Sequence, residues 1–305
     1  MANVKVVGKD LEFWFDGVEV PVSSVKPSVE FGTENSTDSA TPGDGKDFEV
    51  ILAERQIDVE TNFYTPLGAE INSGTLTKDA RYVVTAKDTV LAAYDVGQIF
   101  VAAGTETMSA TDKVKPLGTK VTGKTMGFSF DGSDVPVTDA DININYDELD
   151  TTDTETISGG ADGTEYVTSR AERESKISMI MRSEDADLLT TNPAEQDTVL
   201  TLASGQTIEG VSIPISKNPT DESEGVVKVD YAFKWKGAPV ETDCGLVPAV
   251  EKAFKIIYKR GASTNKQISG NAIITKKSIS VNIKGLAKIT YTMRINGTPT
   301  DAVAN

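Results

Sequence analysis

The stretch "FWFDGVEVPV" occupies residues 13–22, and a near copy, "FSFDGSDVPV", occupies residues 128–137. The two stretches agree at seven of ten positions and lie 115 residues apart. Each places Asp-Gly between a Phe-x-Phe stretch and a Val-Pro-Val stretch, which is the signal of a two-residue β-hairpin turn because Gly accepts the positive φ that this turn requires. The sequence therefore predicts the same hairpin twice, with turns at Asp16-Gly17 and Asp131-Gly132.

The similarity extends beyond the hairpins. Thr37-Asp38 matches Thr152-Asp153 at the same offset, and "AER" at 53–55 matches "AER" at 171–173 three residues out of step. A long polar loop separates the hairpin from this second match in each half, at 32–47 and 147–165. We therefore predict one repeated unit of hairpin, polar loop and long strand.

A second repeat lies towards the end of the chain. "GVVKVDYAFKWKGAP" at 225–239 and "GLAKITYTMRINGTP" at 285–299 align at a constant offset of 60. Both alternate apolar and polar residues, a period of two that is typical of a half-buried antiparallel strand. Tyr231 and Trp235 are on the apolar face of the first strand, and Tyr291 and Ile295 are on that of the second.

The order of the repeats predicts the domain organisation. We predict one discontinuous domain from 1–65 and 246–305, a second domain at 121–245, and a small inserted β-module at 66–120. The predicted fold class is all-β with minor α: duplicated β-sandwich or barrel domains with an inserted module. The minor helix is predicted at 183–192, with one further helical turn at the start of 248–261 before a strand.

Composition argues against most enzyme chemistries. The chain carries 46 acidic and 30 basic residues, a net charge of −16, so it repels nucleic acid and anionic membranes. It has no histidine, and Cys244 is its single cysteine. No apolar run approaches a membrane span or a signal core, so we expect no membrane association and synthesis in a cytoplasm.

Individual motifs give no strong site. "DADININYDELD" at 139–150 has oxygen ligands at calcium-loop spacing, but Ile144 stands where that loop needs Gly, so the alternation favours a strand with one wet face. Pairs of carboxylates, such as Asp150 with Asp153, are expected by chance in so acidic a chain. We therefore predict no enzyme activity, no metal and no cofactor.

In this combination of features the chain resembles bacteriophage tail tube proteins. The resemblance covers about 1–65 and 121–300 and is carried by the hairpin, the polar loop, the "AER" strand, "EDADLL" and the strands ending in "KGAP" and "NGTP". The resemblance implies rings that stack into a tube around an acidic channel for DNA. It also implies either hexameric rings or, with two tube domains per chain, trimeric rings of pseudo-sixfold symmetry.

The resemblance implies further partners and a location. The expected partners are other copies of the chain, other tail proteins and genomic DNA that passes without specific binding; the expected location is the virion tail, after synthesis in the host bacterial cytoplasm. Candidate contacts between subunits are at the hairpin turns and in the polar loops, which otherwise would be surface loops without order. These candidates are Asp16, Gly17, Asp38, Asp44, Asp131, Gly132, Asp153 and Asp162.

Two alternatives remain open at this point. The chain could be another β-sandwich virion component, such as a decoration, baseplate or host-binding protein, with 66–120 as its binding part. Less favoured is a carbohydrate-active enzyme that uses a carboxylate pair.

Overall fold

The chain forms an antiparallel all-β structure, as predicted. The computed structural model describes residues 11–35, 48–152, 164–181, 187–189, 193–203, 205–222, 226–258 and 265–304. Within those ranges no helix reaches seven residues, and one 3-10 turn spans Gly123–Thr125. None of the described helical residues forms a segment long and apolar enough to cross a membrane.

The described residues form nineteen strands. They are β1 Leu11–Phe15, β2 Val18–Val20, β3 Val22–Asn35, β4 Phe48–Asn62, β5 Gly74–Thr75, β6 Arg81–Ala86, β7 Ile99–Val101, β8 Thr107–Met108, β9 Lys113–Pro116, β10 Gly127–Phe130, β11 Ser133–Val135, β12 Asp139–Asp150, β13 Tyr166–Met181, β14 Gln196–Ala203, β15 Gln206–Glu222, β16 Val226–Thr242, β17 Glu251–Tyr258, β18 Asn265–Asn282 and β19 Lys288–Ala304.

The two sequence repeats have the same strand pairing. In the first repeat the neighbours run β2-β1-β17-β18-β19-β4-β3, and in the second they run β11-β10-β14-β15-β16-β13-β12. Each hairpin strand, β1 or β10, therefore pairs with the strand that precedes the long central pair. The pairing supports the interpretation of the sequence as a duplicated unit. The domain boundaries themselves stay a prediction.

The irregularities of the sheets are duplicated as well. The β18–β19 ladder shifts register after Ser269 and after Ile274, and the β15–β16 ladder shifts 60 residues earlier, after Glu209 and after Pro214. A bulge bends a strand and increases its twist. Strands that bend at the same two places give both repeats the same curvature.

One apolar core runs through both repeats. The side chains that alternate along β16 and β19 are buried in it, including Tyr231, Phe233, Tyr291 and Met293. Phe128 and Phe130 of the second hairpin both lie 5.4 Å from the ring of Phe233, measured between ring centroids. The hairpins therefore cover the core, as the apolar character of their inward positions indicates.

Strands β5 to β9 lie within the predicted insert at 66–120 and enclose a separate small core. Its buried residues are Leu76, Tyr82, Val84, Leu91, Phe100, Ala102, Met108 and Val114. These strands contact the first hairpin, where Glu19 donates its backbone N–H to the carbonyl of Gly97 at 3.0 Å and accepts the N–H of Ile99 on its carboxylate at 2.7 Å.

The structure corrects the helical predictions where it describes them. Asp187 is irregular, Leu188 and Leu189 are bends, and the rest of the predicted helix at 183–192 lies outside the described residues. The predicted helical turn at the start of 248–261 is wrong: Ala249 has a φ of +63° and donates its N–H to Ile274 at 3.1 Å, so the chain turns directly into β17. A left-handed residue cannot continue a right-handed helical turn.

The calcium-loop motif forms a strand, as predicted. It is the whole of β12, and its apolar residues Ile142 and Ile144 are buried while its acids face outward. The predicted polar loops are shorter than expected, because β3 continues through Asn35 and β12 through Asp150.

Candidate self-assembly surface

The two predicted hairpin turns occupy equivalent positions. Asp16 and Gly17 have φ angles of +53° and +76°, and Asp131 and Gly132 have +53° and +71°, as the two-residue turn requires. Asp16 donates its N–H to Ala253, and Asp131 donates to Asp197, both at 2.9 Å. Each turn therefore caps the end of the strand beside it, β17 or β14.

The four loop candidates cannot be placed in the same way. Asp38, Asp44, Asp153 and Asp162 lie outside the described residues. The contact role predicted for all eight residues stays a prediction.

The two repeats join through an antiparallel ladder between β12 and β18. Seven residue pairs form it, from Asp139 opposite Asn282 to Asn145 opposite Lys276. Ser278 donates its hydroxyl to the Asn143 amide oxygen at 2.7 Å, so side chains reinforce the backbone ladder. This junction lies inside one chain. It joins β12, the last strand of the second repeat, to the second half of the long bent strand β18.

An enclosed ion pair accompanies the junction. The ammonium of Lys277 lies 2.5 Å from the carboxylate of Glu241 on β16, and its side chain is only 2% exposed. Lys277 is opposite Ile144 in the ladder. The carboxylate of Glu241 comes from one repeat and the ammonium of Lys277 from the other. The ion pair therefore favours this particular pairing of the two repeats.

The counterparts of both junction strands have open edges. β3 corresponds to β12 at the offset of 115, and within the described residues it pairs with β4 alone. The second half of β15 corresponds to the second half of β18 at the offset of 60, and there it pairs only with β16 in the part of the chain that the structure describes. One junction is therefore made within the chain, and among the described strands both halves of an equivalent junction lack a partner strand.

Apolar side chains are exposed along the β3 edge. Val29 is 52% exposed and Phe31 is 50% exposed, whereas Ile144, the counterpart of Val29, is 0% exposed. Pro27 is exposed, and its counterpart Ile142 is buried. Exposed apolar residues on an unpaired edge strand are a template for another strand.

Eight strands form one continuous sheet between these edges, in the order β3-β4-β19-β18-β12-β13-β16-β15. We call the side of this sheet away from the core the polar face. It carries the residues that alternate with core residues, and both signs of charge occur on it. They include Lys26, Asp58, Glu60, Asp139, Asp141, Glu172, Glu174, Lys176, Lys228, Asp230, Lys234, Lys288 and Arg294.

Cations on the polar face pair with acids across the strands. Lys288 lies 2.8 Å from Glu60, Lys228 lies 3.5 Å from Asp139, and Lys234 lies 3.3 Å from Glu172. The hydrogen bond from Lys288 holds the pKa of Glu60 below its ordinary value. The cations in these pairs are therefore matched by acids of the neighbouring strands on the polar face.

Sequence reasoning missed the open edges, although it contained a signal for them. Pro27 and Pro219 interrupt strands that otherwise alternate regularly, and proline in a strand marks an edge because it has no N–H to donate. No cluster of potential metal ligands occurs among the described residues. Comparison of the sequence with protein-family models returned no match, and comparison with curated proteins returned none either.

Proposed function

We propose that this protein is a structural subunit of a bacteriophage tail tube, which assembles with copies of itself into stacked rings around a channel for DNA. The observation that carries the proposal is the duplicated junction: β12 pairs with β18 within the chain, and within the described ranges their counterparts β3 and β15 have open edges. A chain with one made junction and two matching open edges adds copies head to tail, and a head-to-tail contact closes into a ring when its rotation allows.

The two repeats favour a ring with few chains. Each chain contributes two equivalent units, so three chains would present six units around the axis, as the resemblance to two-domain tube proteins implies. Pairing every edge also removes the aggregation hazard that a long open strand creates in a monomer.

The polar face is the proposed channel wall. The core and the hairpins that cover it lie on the other side of the eight-stranded sheet, and the strands at 66–120 contact the first hairpin. Bulky layers fit on the outside of a closed barrel, where the circumference is larger. The wall would then present matched ion pairs to DNA, and a lysine paired with a carboxylate offers a phosphate less attraction than an isolated one.

Electron microscopy and ring mass test the proposal together. The purified chain at high concentration should form rings or tubes with a central channel, and isolated rings should have three times the 32.5 kDa mass of the chain. Hexameric rings would still support the tube function, but they would show that the ring contains six chains and not three. A protein that stays a compact monomer, with neither rings nor tubes on the grid, would overturn the proposal.

A further inference from the structure

We infer that neighbouring copies join by pairing β3 of one copy with the second half of β15 of the next, in a register that sets Pro27 opposite Pro219, and that these prolines keep this junction weaker than the β12–β18 junction. The inference rests on the proposed function and specifies the contact that would build the ring. Its occupant is a second copy of this chain, because the chain already contains the same junction once.

The offsets fix the register. In the β12–β18 ladder Ile142 is opposite Ile279, and Asn143 is opposite Ser278. Subtracting 115 on one strand and 60 on the other places Pro27 opposite Pro219 and Ser28 opposite Asn218. The bulges of β3 and β12 also coincide at the offset of 115, after Phe31 and after Tyr146. The same offset therefore relates the residues of the two strands along the whole proposed ladder.

The backbone of β3 presents Pro27 to the open edge. In an antiparallel ladder the N–H and C=O of alternate residues point to opposite neighbours. Phe63, directly after β4, donates its N–H to Ala287 at 2.8 Å. The backbone N–H and C=O groups of odd-numbered β4 residues therefore point to β19, and those of even-numbered residues point to β3. Lys26 pairs with Asp58 and so points to β4. Pro27 consequently points to the open edge.

The backbone of β15 presents Pro219 in the same way. Ile283, directly after β18, donates its N–H to Thr138, directly before β12, at 2.9 Å, so odd-numbered residues of β18 point to β12. The offset of 60 preserves this alternation, and Pro219 therefore points to the open edge of β15. Both prolines would occupy one hydrogen-bonded pair of the new ladder.

Two donors are absent at that pair. In the junction within the chain, Ile142 and Ile279 occupy the position, and each has an N–H. Proline has none, so the ladder between copies would lack two hydrogen bonds that the internal ladder can form. Proline on an exposed edge also blocks indiscriminate strand addition, so copies would join only when the flanking residues are aligned as well.

The flanking residues supply the matching contacts. Val29 would be opposite Lys217, as Ile144 is opposite Lys277. Lys217 already holds a carboxylate of its own repeat, with its ammonium 2.6 Å from Asp187, whereas Lys277 holds Glu241 of the other repeat. The half-exposed Val29 would become covered as Ile144 is.

A disulfide tests the register in the full-length chain. Ser28 and Asn218 point to β4 and β16, so they would form a non-hydrogen-bonded pair with Cα atoms about 4.5 Å apart, within disulfide range. S28C/N218C should give covalent closed rings under mild oxidation. The matched control, S28C/T220C, is two residues out of register and should give few. Cys244 would not interfere, because burial raises the pKa of its thiol to about 11.

The outcomes separate this inference from the proposed function. Rings on the grid without covalent links in S28C/N218C, or with equal links in the control, would overturn the register and leave the tube function standing. Neither rings nor links would overturn both.

The prolines are tested by the residues of the internal junction. P27I/P219I should assemble at about a tenfold lower protein concentration, because two hydrogen bonds are restored, and each single variant should have a smaller effect. Light scattering gives the concentration, and electron microscopy shows whether the product is a ring. An unchanged or higher assembly concentration would overturn the weakening role of the prolines.

Discussion

The β12–β18 junction and the open edges of β3 and β15 are two versions of the same strands in different surroundings. In the first version Ile144 is fully covered and Lys277 is enclosed with Glu241. In the second, Val29 is half exposed, and the pair between Lys217 and Asp187 remains in contact with solvent. Under the proposed function, the strand pattern serves two purposes: the β12–β18 version stabilises the chain, and the version on β3 and β15 is available for assembly.

The largest contrast is expected from truncating the apolar residue of each version. Ile144→Ala removes buried methyl groups and should lower the free energy of unfolding by about 3 kcal/mol. Val29→Ala should lower it by less than about 0.5 kcal/mol in the unassembled chain, because its side chain is already in water. Urea unfolding at a concentration below assembly measures both.

A substitution at Val29 should affect ring assembly strongly, although it affects the free energy of unfolding of the monomer only slightly. Val29→Asp places a charge where the proposed junction becomes covered, so rings should be lost while the free energy of unfolding of the monomer changes little. Rings that form normally in Val29→Asp would show that the β3 edge stays outside the contact between copies.

A smaller contrast is expected from the two ion pairs. Glu241→Gln leaves the enclosed ammonium of Lys277 without its carboxylate and should cost about 2 kcal/mol of unfolding free energy; Glu241 is partly exposed, which reduces the penalty from that of a fully buried pair. Asp187→Asn at the open counterpart should cost at most about 1 kcal/mol, as exposed pairs do. Equal losses in urea unfolding would mean that the two environments are alike.

Sequence patterns predicted the strands and hairpins of the two repeats, but they did not predict which strands pair with one another. The alternation around Tyr231 and Tyr291 predicted two half-buried strands, and Asp-Gly predicted both hairpins, because these features depend on residues close in sequence. Alternation fixes which face of a strand is buried, but it does not choose the strand alongside. The β12–β18 pairing joins residues more than 130 positions apart, which no local pattern encodes.

The long strands also limited the predictions at their ends. The mostly polar residues at 32–35 and 147–150 predict loop, although they continue β3 and β12. A ladder extends through polar residues when its partner strand continues beside it, and that partner is again distant in sequence. The repeats were the stronger signal, because the same offsets that aligned the sequences also align the ladders and their bulges.

The smallest expected effect is the pH dependence of the open ion pair. The hydrogen bond from Lys217 holds the pKa of Asp187 below its ordinary value near 3.8. A carboxyl whose pKa is lower in the folded state binds protons more readily when unfolded, so its stabilising contribution is complete above that ordinary value. The contribution disappears as the pH falls through the lower, folded value.

Urea unfolding of the wild type and of Asp187→Asn, at a series of pH values from about pH 6 to about pH 2, measures this contribution. The two free energies of unfolding should converge as the pH falls below about 4, since protonation removes the carboxylate that the variant lacks. Asp187 is about half exposed, so the difference at neutral pH should be small and should shrink further in salt. In the assembled ring, Lys217 would be enclosed as Lys277 is, and the same substitution should then weaken assembly more than it weakens the monomer. A difference between wild type and variant that persists unchanged at pH 2 would show that Asp187 acts through packing and not through its charge.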